Sequence, residues 1–390
     1  MTDARGSAGP IYLDHNATTP VAGEVIAAVA RSLEEDFGNP SSAHPYGRRA
    51  AARIQTARGQ VAALLGCAPE EVVFTSGGSE ANNLALRGVA ELLGSRLAGL
   101  VISAVEHPAV VKPARWLQER GLGVRIVPVD RHGRVDPRGV CEACDALARN
   151  GGTVLVSIMH ANNEVGTLQP IAEIAREVRG RGGVMHTDAA KSAGKVAVDV
   201  SQPGIDLLSI AAHKFYGPKG VGALYIRQDI RVAPQILGAA HERGLRAGTE
   251  NTPGIVGLGE ACRLAAESLP EDRSRIASLR DRFWARLQEE IPGILRNGHP
   301  QDVLPNTLNV SFPGALGRRV LEECPGVAAA TGAACHSGVD HPSAVLTAMG
   351  VPEEEALGTV RLSLGRATQE ADVDAAAGAL VSAWRTVSAG

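Results

Sequence analysis

Between residues 70 and 226, apolar runs of strand length alternate with stretches of helical pattern, and this alternation constrains the fold more than any other feature of the chain. The runs are Val72-Val73-Phe74, Leu100-Val101-Ile102, Val124–Val127, Val154–Ile158, Val184-Met185-His186 and Leu207–Ile210. Alternation of this kind predicts βαβ units and an α/β fold with a mostly parallel central sheet, helices on both faces. Open sheets of that class take ligands just outside the C-terminal ends of their strands. The polar candidates fall there: Gly77-Gly78-Ser79, His107, Asn162-Asn163-Glu164, Asp188 and His213-Lys214. Past residue 260 the pattern changes. Helical stretches near 255–290 lead to a short strand at Thr307–Phe312, extended segments at Val327–Ala330 and Thr359–Leu364, and a last helix near 369–387. The expected organisation is a large domain at 20–258 and a smaller α+β domain made of 1–19 and 259–390.

Composition narrows the function. The chain of 390 residues is 44% hydrophobic but only 3% aromatic, so its core must be built from Ala, Val, Leu and Ile. A net charge of −3 gives no nucleic-acid footprint. No apolar run approaches the length of a membrane span, and Met1–Pro10 lack the apolar core of a secretory signal, so a cytoplasmic protein is expected. The six cysteines are dispersed, which argues against a disulfide framework. Cys141 and Cys144 form a lone CxxC with no second pair at a zinc-like distance, and read as two residues on one helical turn; no metal site is expected.

Several short constellations carry chemistry. Phe74–Glu80 reads as a strand, a glycine turn and a helix start. Such a helix N-terminus presents unpaired backbone N–H groups and the positive end of the helix dipole, which suits a phosphate. The glycines allow close approach and Ser79 adds a hydroxyl, although an ordinary capped helix would carry the same residues. Asp188 ends one strand and Lys214 follows another. The two are either an ion pair or the carboxylate and amine of a pyridoxal phosphate (PLP) site. In the latter, the carboxylate pairs with the protonated ring nitrogen and the lysine binds the aldehyde. His107 is placed to lie over such a ring and handle protons, and an amide of Asn162-Asn163 to reach its phenolic oxygen, unless that segment is simply a turn. Cys335 lies among small residues in Ala330–Gly338, a setting that suits a reactive thiol better than the buried small hydrophobe a free cysteine otherwise becomes. Arg361 is a charge inside the apolar strand Val360–Leu364 and needs a partner; a bidentately held substrate carboxylate is a natural one.

Taken together these segments resemble the cysteine desulfurase and selenocysteine lyase family of class V, fold-type I PLP enzymes. The resemblance runs over nearly the whole chain, through Tyr12–Pro20, Phe37–Ser42, Thr75–Glu80, Glu106-His107, Asn162–Glu164, Thr187–Ala190, His213–Gly220, Arg246–Thr252 and Arg361–Arg366. It implies that Lys214 holds PLP covalently, Asp188 binds the ring nitrogen, His107 stacks on the ring and Asn163 reaches the phenolic oxygen. It implies further that Gly78, Ser79 and His213 bind the phosphate, joined by Thr249 from a second subunit of a homodimer. Arg361 and Asn39 would hold the substrate carboxylate, and Cys335 would attack the substrate's sulfur or selenium, leaving alanine.

Three positions depart from the family pattern. Lys191 stands where desulfurases usually carry a glutamine against the phenolic oxygen, Ala211 where many have a serine, and Gly238-Ala239-Ala240 where a glycine run is usual. An ammonium at Lys191 is expected to add positive charge beside that oxygen. The Gly332–Ser337 stretch looks more like the selenocysteine lyases. Three readings follow: a desulfurase that passes sulfur from L-cysteine through Cys335 to an acceptor protein; a lyase acting mainly on L-selenocysteine; and a non-catalytic PLP-binding scaffold for sulfur-transfer partners.

Overall fold

Successive residues of a strand face opposite sides of its sheet, so a run that is apolar throughout must be covered on both. The computed structural model, which describes residues 9–201, 204–331 and 341–389, builds the apolar runs into such strands. In chain order the described residues form β1 (Ile11–Tyr12), β2 (Val72–Thr75), β3 (Leu97–Ser103), β4 (Val124–Val127), β5 (Thr153–Ser157), β6 (Val184–Asp188), β7 (Leu207–Ala211), β8 (Gly222–Ile226), β9 (Leu295–Asn297), β10 (Thr307–Ser311), β11 (Val327–Ala328) and β12 (Thr359–Ser363). Strands β2 to β8 make one seven-stranded sheet in the order β2-β8-β7-β6-β5-β3-β4. All its pairs are parallel except the two made by β8, which runs antiparallel to β2 and β7. The sequence pattern did not single out β8. It follows β7 after residues 212–221, too short a stretch for a helical crossover, and so returns antiparallel.

The alternation is visible in the packing. Val73, Leu100, Ile102, Leu155, Leu207 and Leu224 face the helices Gly78–Leu93 and Pro108–Gln118. Their neighbours Phe74, Val101, Val156, Leu208, Ala223 and Tyr225 face Pro45–Leu65, Pro137–Leu147, Ile171–Gly180 and the start of Thr252–Glu290. Each fully buried aliphatic side chain stabilises by about 1.5–3 kcal/mol. Aliphatics supply nearly all of this core; the aromatic exceptions are Phe74, Phe215 and Tyr225.

A second layer follows. β12-β10-β9 form an antiparallel sheet, and β1 pairs parallel with β11. Leu13 enters the same apolar cluster as Phe283, Leu287, Val310, Val360 and Leu362. Helix Thr252–Glu290 serves both cores, with Ile255 and Leu258 in the first and Ile276 and Phe283 in the second, so the expected division at 258/259 falls inside one helix. On β12 the strand period of two sends Val360 and Leu362 into the core and Arg361 to the opposite face. Among the described residues no helix is long and apolar enough to cross a membrane.

Candidate active site

The turn after β2 is shaped by glycine. Gly77 has φ +148°, where side chains are strained. Behind it Gly222 opens β8, and a Cβ there would lie 2.8 Å from Gly77 Cα and 2.5 Å from the Ile210 carbonyl oxygen. Helix Gly78–Leu93 then starts with no capping side chain, so its first N–H groups remain available to an anion.

This helix start faces a cavity of about 240 Å³ lined by Gly78, Ser79, His107, Asn163, Asp188, Lys191, His213 and Lys214, together with Asn82, Ala109, Met159, Ala190 and Ala211. Eight residues singled out from the sequence therefore converge, drawn from the ends of five strands. Asp188 closes β6, buried, with Oδ2 accepting from Asn82 Nδ2 at 2.8 Å and Oδ1 from the Ala190 N–H at 2.9 Å. Two residues earlier, His186 bridges the Ser157 hydroxyl of β5 at 2.8 Å and the Ser209 hydroxyl of β7 at 3.0 Å, clamping the three strands beneath the site. Burial lowers its pKa to about 4, so the clamp is neutral.

Two histidines flank the cavity. His107 caps the helix Pro108–Gln118, with Nδ1 accepting from the Ala109 N–H at 3.1 Å. That leaves Nε2 as the protonated nitrogen of the neutral ring. Burial lowers its pKa, Asp188 opposes that, and Lys191 and Lys214 reinforce it. His213 meets the Thr18 hydroxyl through Nδ1 at 3.1 Å, and burial together with Lys214 and Lys191 lowers its pKa to about 4.

The cationic groups are more crowded than the sequence suggested. Lys214 Nζ donates to the Asn16 and Ala17 carbonyls, and Lys191 Nζ donates to the same Asn16 carbonyl. Lys195 Nζ donates to the Lys191 carbonyl at 3.2 Å. Burial depresses all three amines: Lys195 to about 7, Lys191 well below its usual range, and Lys214 to a lesser degree, held up partly by Lys191 and Asp188. Each cation raises the cost of charging the next. The positive charge expected at Lys191 is thus opposed by its own surroundings.

Arg361 donates through Nη2 to Asp14 Oδ1 at 2.6 Å and through Nη1 to the Asn163 carbonyl at 3.2 Å, while its buried Nε has no partner among the described residues. Asn39 is exposed, its Oδ1 accepting from the Ser41 N–H, and Thr249 is exposed; neither lines this chain's cavity. Cys335 lies outside the described residues. Sequence reasoning assigned no role to Asn82, Lys195, Asp14, Asn16 or Glu106. Asn82 and Lys195 sit one turn beyond Ser79 and Lys191, a spacing that was legible. Glu106 is fully buried between the Ser103 hydroxyl and the Met159 N–H, and burial pushes its pKa up to about 8.

Fold and site together define a class. The chain belongs to the aminotransferase class-V family, whose model matches residues 11–376. Among its relatives are the cysteine desulfurase IscS of Dictyoglomus turgidum, 43% identical over 366 residues (93% of this chain, 92% of the relative), and the cysteine desulfurase of Rattus norvegicus, 41% identical over 376 residues (96% and 82%). Solved structures agree. A NifS-like protein superposes with a TM-score of 0.90 at 36% identity, over 97% of this chain and 100% of its own. SspA in complex with cysteine reaches a TM-score of 0.80 at 36% identity, over 90% and 98%.

Proposed function

We propose that this protein is a PLP-dependent cysteine desulfurase that removes sulfur from L-cysteine, releases L-alanine and leaves a persulfide on Cys335 for an acceptor protein. The observation that carries this reading is the meeting of the Lys214 amine, the Asp188 carboxylate and an uncapped helix start in one cavity. The donor set fits the cofactor. A carboxylate anchored by Asn82 and the Ala190 N–H suits a protonated ring nitrogen, a depressed amine suits an aldehyde, and free N–H groups at Gly78-Ser79 suit a phosphate. The ring, when bound, supplies an electron sink for negative charge at the substrate's Cα.

The chain's own residues do the rest. Arg361, fixed by Asp14 and the Asn163 carbonyl, orients the substrate carboxylate with its unpartnered Nε toward that role. Lys214 Nζ, its pKa lowered by burial, moves a proton at Cα. The neutral His107, with its proton on Nε2, covers the ring. The Cys335 thiolate forms a bond to the substrate sulfur as the Cβ–S bond breaks, and a proton delivered to Cβ completes alanine. That relatives are named cysteine desulfurases favours L-cysteine over L-selenocysteine. A homodimer, with Thr249 of a second copy at the phosphate, is part of this reading, and Thr249 is exposed on the single chain; the free cysteines fit a cytoplasmic setting. The test is titration of the protein with PLP followed by visible absorption. The wild type should turn yellow, and borohydride should bleach the band and leave the reduced cofactor on the peptide carrying Lys214; label found elsewhere would refute the assignment.

A further inference from the structure

The amine of Lys191 stands out once the cavity is described. It lines the same cavity as Lys214, and both Nζ atoms donate to one acceptor, the Asn16 carbonyl oxygen. For each of the three lysines here the partner is a backbone carbonyl rather than a carboxylate: Asn16 for Lys191, Asn16 and Ala17 for Lys214, Lys191 itself for Lys195. A carbonyl can accept from a neutral amine as well as from an ammonium, and unlike a carboxylate it brings no negative charge to hold the extra proton on either lysine. Lys191 is buried, with Lys214, Lys195 and Arg361 as its charged neighbours, and all three disfavour a further cation. Desolvated lysine beside other cationic groups is the setting in which the amine becomes a nucleophile toward carbonyls.

We infer that Lys191 is a second aldehyde-capturing amine of this cavity, able to bind PLP covalently when Lys214 is absent. This rests on the reading of the cavity as a PLP site. In the capture step the Lys191 Nζ lone pair adds to the aldehyde carbon. The carbonyl oxygen leaves as water with the two amine hydrogens, a C=N bond forms, and nothing is oxidised or reduced. The position is filled by glutamine in most of the resembling family, and glutamine has no such lone pair to give.

The experiment is covalent trapping, read by peptide mapping rather than by turnover. The protein is incubated with PLP, reduced with borohydride, digested and analysed by mass spectrometry. The wild type should carry the reduced label on Lys214. Lys214→Ala should carry about one label per chain on Lys191, and Lys214→Ala/Lys191→Gln should lose it; Lys214→Gln serves in the same way if the alanine variant does not fold. A folded Lys214 variant with no label at Lys191, or with label only on exposed lysines such as Lys219, overturns the inference while the wild-type label on Lys214 upholds the PLP site. An unlabelled wild type overturns both.

Discussion

Glu242→Gln should destabilise the protein far more than any other single salt-bridge change outside the cavity. Glu242 and Arg58 form a two-pronged pair at 2.6 and 2.9 Å, with side chains only 2% and 6% exposed. Glu242 Oε2 also accepts from the Phe74 N–H at 2.9 Å, so the pair ties the 241–244 segment to the strand that leads into Gly77-Gly78. Glutamine keeps the shape and an acceptor for Phe74, but leaves the Arg58 cation buried without its counter-charge. Breaking a buried pair on one side costs about 3–5 kcal/mol. Unfolding entropy of about 2.1 cal/mol/K per residue gives about 0.8 kcal/mol/K for a chain of 390 residues, so the thermal midpoint should fall by about 4–6 °C. The exposed pair Arg263–Glu267, at 39% and 60%, is the control, since i,i+4 pairs of that kind are worth only about 0.3–0.5 kcal/mol. Calorimetry of wild type, Glu242→Gln and Glu267→Gln would read the difference. A Glu242→Gln shift no larger than that of Glu267→Gln would refute the reasoning.

Cys335→Ser should retain the yellow cofactor and lose sulfur on the protein, which mass spectrometry after L-cysteine would read. Gly222→Ala would bring a methyl within 2.5 Å of the Ile210 carbonyl oxygen and displace the Gly77 turn, so PLP affinity should drop sharply in a spectroscopic titration. Arg361→Lys should raise KM for L-cysteine more than it lowers kcat, because lysine lacks the planar fork. Glu106→Gln keeps acceptors for Ser103 and Met159 but removes a carboxyl raised to about 8 in the fold. A carboxyl raised on folding holds its proton in the folded state while the unfolded chain has lost it, so wild-type stability falls as pH rises from the ordinary carboxyl range through about 8. The glutamine variant should therefore gain thermal stability relative to wild type between about pH 6 and about pH 9; a difference that does not change with pH would count against the raised pKa.

The sheet was legible because Val, Leu and Ile runs such as Val154–Ile158 announce strands whatever surrounds them, and the βα alternation dictates parallel neighbours. β8 was not, since Gly222–Ile226 follows β7 with no α-helix between them to mark it, only a single 3-10 turn at Ala212–Lys214. Most cavity residues could be read because each ends or follows an apolar run. What the sequence did not reveal is proximity between distant segments. Asn16 and Asp14 precede the first long helix, yet they reach Lys191, Lys214 and Arg361 because the chain there runs along β12, where the Asn16 N–H meets the Ser363 hydroxyl. The opposition to charge on Lys191 was hidden for the same reason, since Lys214 and Arg361 come beside it only in three dimensions. Asn39 and Thr249 lie exposed and do not line this chain's cavity.

The central claim is tested most directly by following both products of L-cysteine in the PLP-loaded protein. Alanine release and sulfur on the Cys335 peptide should appear in equal amounts in the first turnover, with both abolished in Lys214→Ala and sulfur alone in its place on no other cysteine. Absence of alanine from L-cysteine, or sulfur accumulating on Cys141, Cys144 or Cys324 in place of Cys335, would contradict it.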